Sequence, residues 1–577
     1  MLETTLKTAF IPGTNLSGGL ASADWRFLLP SLKCNNILCV GTPSADSLAV
    51  LSTMGQFVFV VSTEYLQLQK ILKEAKTVQA KNIGMIHVKS LADLPFADHT
   101  IELIYEVGRK GKVRSFRGRS LLFELARILK WDGKIFFEIK GLANSYRYRK
   151  ALQSLLKHGF EHSRVFWLAP LSGRMQTALP LSAGEIANYF FTNVLYGQSL
   201  RKRSFSHVGR VLSRYGLLGV FASRRAVLIQ RSQTNGHLAQ PPKYLISIAE
   251  KAGLDLTEYR FGLSTRGQGN SNKAIFYLFE KSVRMPKVVI KMTRAPEFNY
   301  RLENEYGILT LLKEKGFVGR DTFPEPLFLN YHNNLAVLGM KAVEGEPFRT
   351  RTEATENCPV AHDAINWIVQ LGKNSVNKSE VSPGEVSKVL LSLLKRINEI
   401  YNLSDEHRDF LTQQISSMKL SNQDFPLVLQ HGDPGTWNIL VSKHGNVIFI
   451  DWEAGETRGL PLWDLFYFFR TYASWICRTQ GSRDSLKNFA QHFLVPSDLV
   501  LLLHKTTVMY CEVVGLDKRL IEPLFYTCWM HRALKESTRL TPQMLDTGHY
   551  VNLLRLVIDH RNAPTLKRMF TLEQASP

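Results

Sequence analysis

No acidic residue occurs between Glu185 and Glu250, a stretch that carries Arg201, Lys202, Arg203, Arg210, Arg214, Arg224 and Arg225. Over the whole chain of 577 residues, 72 Lys and Arg oppose 50 Asp and Glu, leaving a formal charge of +22. Such a field repels polycations and attracts anionic surfaces. Cysteine is also sparse. The six, at positions 34, 39, 358, 477, 511 and 528, have no paired metal-ligand spacing, which argues against a structural zinc site and fits a reducing cytoplasm. No apolar run is long enough to span a bilayer. Residues 1–10 mix Glu3 and Lys7 with threonines, unlike the apolar centre of a secretory signal. Repeats and low-complexity tracts are lacking. So are a zinc finger, an RNA-binding aromatic motif and a basic zipper, and nucleic acid is not the expected main partner.

What is present is enough chain for two or three domains. From residue 36 to 140 short apolar strands alternate with helical stretches: NNILCVG, QFVFVVS, IGMIHVKS, TIELIYEV and GKIFFEIKG. That alternation predicts an α/β unit with a mainly parallel sheet. Residues 230–244, QRSQTNGHLAQPPKY, are polar with Asn235-Gly236 and Pro241-Pro242, which reads as linker chemistry. The expected organisation is a first domain over 1–230, a linker over 231–244 and a second domain over 245–577. The second divides at about residue 345 into a smaller lobe and a larger one whose end is helical. Positive charge clusters at Arg109, Lys110, Lys112, Arg114, Arg117 and Arg119, and again from Arg201 to Arg225. Val211, Leu212, Leu217, Leu218, Val220 and Phe221 interleave with the second cluster. A peripheral contact with anionic membrane is therefore expected beside the plainer reading of solvated basic surface.

The most informative stretch is HGDPGTWNILVSKHGNVIFIDWE, residues 431–453. Its apolar runs 439–441 and 447–450 flank Lys443-His444-Gly445-Asn446, a turn signal that predicts a hairpin. Antiparallel pairing would bring Asn438 and Asp451 to one end, offering an amide oxygen and a carboxylate to a hard cation such as magnesium. Asp433 lies on a loop kept irregular by Gly432, Pro434 and Gly435, where its carboxylate can face a substrate hydroxyl as a catalytic base. Upstream, VVIK places Lys291 at the end of a β-branched run. The helical stretch YRLENEYGILTLLKEKG follows, with Glu305 able to pair with Lys291 and Glu303 as a competitor.

These motifs resemble the protein-kinase-like superfamily, and HGD…N…DWE is similar to its aminoglycoside phosphotransferase and choline kinase branch. The resemblance implies that Asp433 is the base, Asn438 and Asp451 the magnesium ligands, and Lys291 with Glu305 the phosphate-orienting pair. It also implies that His431 stabilises the catalytic loop and that Asp464, in GLPLWDLFYFF, braces it. NSNKAIFYLF resembles the branch's nucleotide loop and implicates Ser271 and Asn272. LAVLGMKAVEGEPF looks like the strand and hinge between lobes, with Met340 lining the adenine pocket and Gly345 permitting the turn. Glu453 is a candidate for the acceptor or the metal shell.

LPFADHTIELIYEV and LFELARILKWDGKIFFEIK resemble the fourth-strand and fifth-strand passages of class I S-adenosylmethionine-dependent methyltransferases, and LLKHGFEHSRVFWLAP their late helix-to-strand segment. The likeness covers roughly residues 30–230. In CVGTPSAD, however, Cys39 stands where the family has an acid. Gly41 keeps a cofactor-loop position, while Pro43 and Ala45 replace glycines. Ser62 and Ser90 fall where ribose-binding and adenine-contacting acids are usual, with Glu64 and Asp93 the nearest carboxylates.

The expected fold class is thus an α/β Rossmann-like methyltransferase-type domain followed by an α+β two-lobed protein-kinase-like domain. The expected function is ATP- or GTP-dependent, magnesium-assisted phosphorylation of a hydroxyl on a small molecule or glycan, with terminal modification of a surface polysaccharide as one setting. Two alternatives stand beside it: a non-catalytic scaffold, and an S-adenosylmethionine-dependent methyltransferase regulated by nucleotide. Aminoglycosides are not the expected acceptor, because the net field repels polycations.

Overall fold

The structure, a computed structural model, describes residues 19–77, 82–106, 119–141, 160, 162–170, 173–195, 200–230, 239–267, 269–281, 283–377, 381–421 and 423–571. The basic residues Arg109 to Arg117, positions 1–10 and linker positions 231–238 lie outside the described residues. Two compact units form: Asn15–Glu303 with Pro326–Ala342, and Asn304–Glu325 with Val343–Pro577.

The first unit is built on one continuous 13-stranded sheet. Its front strands are β1 (Cys34–Val40), β2 (Gly55–Ser62), β3 (Ile83–His87), β4 (Ile101–Glu106) and β5 (Leu129–Lys140). They run parallel in the order β5-β4-β1-β2-β3. Helices α1 (Ala45–Met54), α2 (Tyr65–Thr77) and α3 (Arg119–Ile128) lie on the connections, as crossovers between parallel strands require. The near-continuous apolar runs are explained by burial on both faces. Ile37 and Cys39 enter one core with Leu103 and Phe136, while Leu38 and Val40 enter another with Ile104 and Phe137.

Strands β6 (His162–Ala169), β7 (Thr177–Pro180) and β8 (Arg224–Gln230) extend the sheet antiparallel in the order β5-β8-β6-β7. Strands β9 (Arg260–Ser264), β10 (Ala274–Phe279), β11 (Val288–Met292), β12 (Pro326–His332) and β13 (Leu335–Lys341) complete it. The junction is β7 against β9, through Thr177 opposite Ser264 and Ala178 opposite Leu263. One core therefore continues from Ile37 through Phe166 and Phe261 to Phe276, Ile290 and Val337. Helices α4 (Gly184–Tyr189) and α5 (Leu200–Arg214) belong to this unit. The basic cluster expected from Arg201 to Arg225 divides here. Arg201, Lys202, Arg203, Arg210 and Arg214 are exposed, whereas Arg224 and Arg225 are buried on β8. Arg224 pairs with Glu138 at 3.0 Å, and Arg225 donates to the Ala222 carbonyl at 2.9 Å.

Helices dominate the second unit. Helix α6 (Asn299–Lys315) contributes its residues from Asn304 onward, and α7 (Pro359–Ser375), α8 (Trp463–Thr479) and α9 (Ile521–Ser537) form its core. Helix α8 is buried almost all round, in keeping with its density of apolar and aromatic residues. Two small sheets sit among the helices: β14 (Glu346–Pro347), β16 (Ile439–Val441) and β17 (Val447–Phe449) in one, β15 (Val428–Gln430) and β18 (Glu456–Gly459) in the other. Gly345 lies in the irregular segment between β13 and β14. Its φ is not positive, and its need is close approach, since a Cβ would lie 2.9 Å from Leu440 and 3.1 Å from the Val441 carbonyl. Among the described residues no helix is long and apolar enough to cross a membrane.

Candidate active site

The loop after β15 is fixed before any ligand arrives. Gly432 has φ 74°, and a Cβ on it would fall 1.8 Å from the Ala454 carbonyl oxygen, so glycine is required there. The buried Asp464 carboxylate accepts the His431 N–H at 2.6 Å and the Gly432 N–H at 3.1 Å. His431 is buried between loop and hairpin. Its Nδ1 accepts the Asp433 N–H at 3.2 Å, which leaves Nε2 to donate to the Ile450 carbonyl at 3.0 Å. That is a neutral tautomer with both nitrogens committed, a joining role and not a basic one.

The expected hairpin forms, with Ile439 opposite Phe449 and Val441 opposite Val447. Its outer end is closed by the Ile450 N–H donating to the Asn438 carbonyl at 2.9 Å, which sets Asn438 and Asp451 at the same end. The Asn438 side-chain nitrogen donates to the Asp433 carbonyl at 2.9 Å and to Asp433 Oδ2 at 3.2 Å. This commits the nitrogen to the loop and makes the amide oxygen the end that can ligate a cation. Asp451 adopts the left-handed conformation, φ 68° and ψ 63°, which aspartate tolerates better than most residues. The next N–H, of Trp452, donates to Glu305 Oε1 at 3.2 Å. Glu305 is fully buried, while Glu303 is exposed and accepts the Tyr331 hydroxyl at 2.6 Å. Glu453 follows in the turn Trp452–Ala454, where Asn304 holds its carbonyl at 3.1 Å.

Two helices add residues that sequence reasoning missed. Arg532 of α9 places Nη1 3.7 Å from Asp433 Oδ1, and its guanidinium lies 3.4 Å from the centre of the Tyr467 ring of α8. Burial raises the Asp433 carboxyl above the usual aspartate range, with Asp451 adding in the same direction; Arg532 and a hydrogen bond from Tyr467 oppose it. Burial also lowers the Lys535 ammonium, one turn from Arg532. Both cations lie in α9, whose apolar density reads as core, and only the break of that pattern at 532 and 535 could have flagged them.

Among the described residues no cluster of three or more His, Cys, Asp or Glu forms a self-sufficient metal site. Asn438 and Asp451 instead supply two hard oxygens at one hairpin end. That donor set fits a magnesium ion whose remaining positions go to nucleotide phosphates and water.

The remaining candidates lie in the first unit. Lys291 is buried on β11 between Ile275 and Leu338 of the neighbouring strands. The turn before β10 is closed by Asn272, whose backbone and side-chain N–H groups both donate to the Gly269 carbonyl, at 3.0 and 3.1 Å. Ser271 precedes it, and Met340 is buried on β13 opposite Val289. Gly41 follows β1 with φ 108°. The surroundings of Gly41 do not fit S-adenosylmethionine. Cys39 is fully buried and burial raises its thiol, so β1 offers no carboxylate. Tyr105 bonds the Ser47 hydroxyl in the first turn of α1, and Trp25 stacks on Tyr105 at 4.2 Å. Ser62 is buried with Oγ accepting the Glu64 N–H, while Ser90 and Asp93 are exposed.

Asp433 thus lies on a fixed loop beside a hairpin end that presents Asn438 and Asp451. Residues 263–492 match the phosphotransferase enzyme family, APH, which places the C-terminal half in kinase-like company. No curated protein matches the chain. Solved structures similar to the N-terminal region are methyltransferases. A SAM-dependent methyltransferase from Aquifex aeolicus is 17% identical over 29% of this chain and 91% of its own, with a TM-score of 0.22. Geranyl diphosphate C-methyltransferase from Streptomyces coelicolor A3(2) is 11% identical over 37% and 79%, with a TM-score of 0.23. A TehB-like SAM-dependent methyltransferase from Corynebacterium glutamicum is 16% identical over 27% and 78%, with a TM-score of 0.21.

Proposed function

We propose that the protein is an ATP- or GTP-dependent kinase that phosphorylates a hydroxyl of a small molecule or glycan, with its front half serving as scaffold. The observation that carries this reading is the tie between Asn438 and Asp433, at the hairpin end where Asp451 also lies. Asp433 orients the acceptor hydroxyl and takes its proton as the phosphoryl group passes from the nucleotide to the acceptor oxygen. Asn438 and Asp451 would hold magnesium, which neutralises phosphate charge when bound. Lys291 engages the α and β phosphates, the turn at Ser271 and Asn272 covers them, and Met340 contributes to the adenine pocket. Arg532 opposes the upward shift of the half-buried Asp433 carboxyl and so favours its ionised form. Glu305 steadies the metal end through Trp452, and Glu453 contacts the acceptor or the metal shell. Polysaccharide end-modification in the cytoplasm remains the setting that best suits the fused architecture.

The test is magnesium-dependent phosphoryl transfer from ATP and from GTP to a panel of sugars, amino alcohols and oligosaccharides, read by phosphorus NMR. Transfer that falls at least about 100-fold in Asp433→Asn supports the reading. Absence of transfer in the wild type, or transfer indifferent to the substitution, removes it.

A further inference from the structure

Helix α5 is oriented against its own hydrophobicity. A surface helix ordinarily turns its apolar stripe inward. Here the buried positions are Ser206, Gly209 and Ser213, and large apolar side chains face outward: Val208 is 54% exposed, Val211 42% and Tyr215 71%. The turn that follows continues the pattern, with Leu217 44% and Val220 63% exposed. Close backbone packing is the reason. A Cβ on Gly209 would lie 2.3 Å from the Phe191 ring, and one on Gly184 of α4 would lie 2.7 Å from the Ser213 carbonyl. The buried positions of the helix are small, with Phe205 packing beside them on the Phe191 and Trp167 rings at 5.6 and 6.4 Å between centres, and the Ser213 hydroxyl donates to the Gly209 carbonyl at 2.7 Å. The outward apolar face is thus a fixed consequence of the packing.

Exposed Arg201, Lys202, Arg203, Arg210 and Arg214 share the helix with that face, and no acid lies between Glu185 and Glu250. We propose that α5 and the turn after it dock on an anionic lipid bilayer. The helix lies in the interface plane, with Val208, Tyr215 and Val220 reaching the acyl boundary and the guanidinium groups among headgroup phosphates. A second copy of this chain is a poor occupant, since it would bring the same cations face to face. Nucleic acid would answer the charge and leave the exposed valines unexplained. The proposal stands apart from the kinase reading.

The test uses the full-length protein and flotation with phosphatidylcholine vesicles, with and without phosphatidylglycerol. Binding should require the anionic lipid and weaken as salt is raised. Each removed charge should cost about fivefold in partitioning, so Arg203→Gln, Arg210→Gln and Arg214→Gln together should cost on the order of 100-fold. All six native cysteines are buried, so Val220→Cys can carry a polarity-sensitive fluorophore that should shift to the blue on anionic vesicles. Equal binding to neutral vesicles, an unaffected triple variant or an unshifted probe would overturn the proposal. So would binding to single-stranded RNA in preference to vesicles, or a dimer that the same substitutions dissociate.

Discussion

Asp24 and Arg294, 270 positions apart, form a fully buried two-point pair, with Arg294 Nε and Nη2 donating to the two carboxylate oxygens at 2.9 and 2.7 Å. The rest of the guanidinium grips the turn before β10. Nη1 donates to the Gly267 and Gly269 carbonyls at 3.2 and 2.8 Å, and Nη2 also to the Thr265 carbonyl at 2.8 Å. Arg26 in turn donates to the Arg294 carbonyl at 2.8 Å. A segment of the front half therefore orients the side chain that shapes the candidate nucleotide turn.

Replacing Asp24 by Asn should leave Arg26 and Arg294 buried without their counter-charge. Breaking such a pair costs about 3–5 kcal/mol. Amide exchange across residues 265–272 should accelerate, and nucleotide KM should rise more than kcat falls. Arg294→Lys keeps the charge and loses the fork, so it should loosen the same amides with a smaller loss of stability. Unchanged exchange in a folded variant would reduce the pair to a core contact.

Gly432→Ala should be far worse than an ordinary glycine substitution. The added Cβ meets the Ala454 carbonyl at 1.8 Å and φ is 74°, so the loop must move and break its bonds to Asp464. A displacement of that kind costs on the order of 100-fold in turnover. Gly481 also has positive φ, 96°, with nothing within 4 Å of a Cβ. Gly481→Ala should cost only about 1–2 kcal/mol in strain and leave turnover intact. Equal effects in the two variants would refute the steric argument.

Asp433 must be ionised to accept a proton, and burial raises its carboxyl. Turnover should therefore fall as pH drops through that raised value. Arg532 lowers it, so Arg532→Met should move the acid limb of the kcat/KM profile to higher pH. Tyr467→Phe, which removes a bond to the carboxylate, should move it in the same direction. An acid limb that stays in place in both variants would show that another group sets it.

How much of this could be read from the chain depends on range. The hairpin at 439–449 was legible because its turn residues and apolar runs are contiguous. Asp433 and Asn438 were legible as a pair because five residues separate them on an irregular loop. Arg532 and Tyr467 were not, since each sits in a helix whose dense apolar and aromatic content reads as core. The joining of β7 to β9 rests on two residue pairs at the end of a four-residue strand, too little pattern to announce itself. Helix α5 misleads for a different reason. Amphipathicity reports which residues are alike, and the close approach of Gly209 to Phe191 decides which of them face in.

The front half should not bind S-adenosylmethionine. Calorimetric titration of the full-length protein is expected to give no saturable heat, because Cys39 offers no acid at the end of β1. Micromolar binding would show that Asp46 or Glu64 compensates and that the scaffold reading is wrong.

Asp464 links stability of the second unit to pH. Burial raises its carboxyl from the ordinary 3.8 to about 6, although Arg532 and the His431 and Gly432 N–H groups oppose the shift. The folded protein therefore holds this proton more tightly than the unfolded chain. Its contribution is fully present below about pH 4 and is lost as pH rises through about 6. A displacement of that size corresponds to about 3 kcal/mol. Asp464→Asn removes the titration while keeping the shape of the protonated acid. Protection of α8 amides against native-state hydrogen exchange, followed across that window in the intact protein, should decline in the wild type relative to the variant and run parallel above it. Parallel curves throughout would mean that the carboxylate is already ionised in the folded state at low pH, and that its bonds to the catalytic loop outweigh its burial.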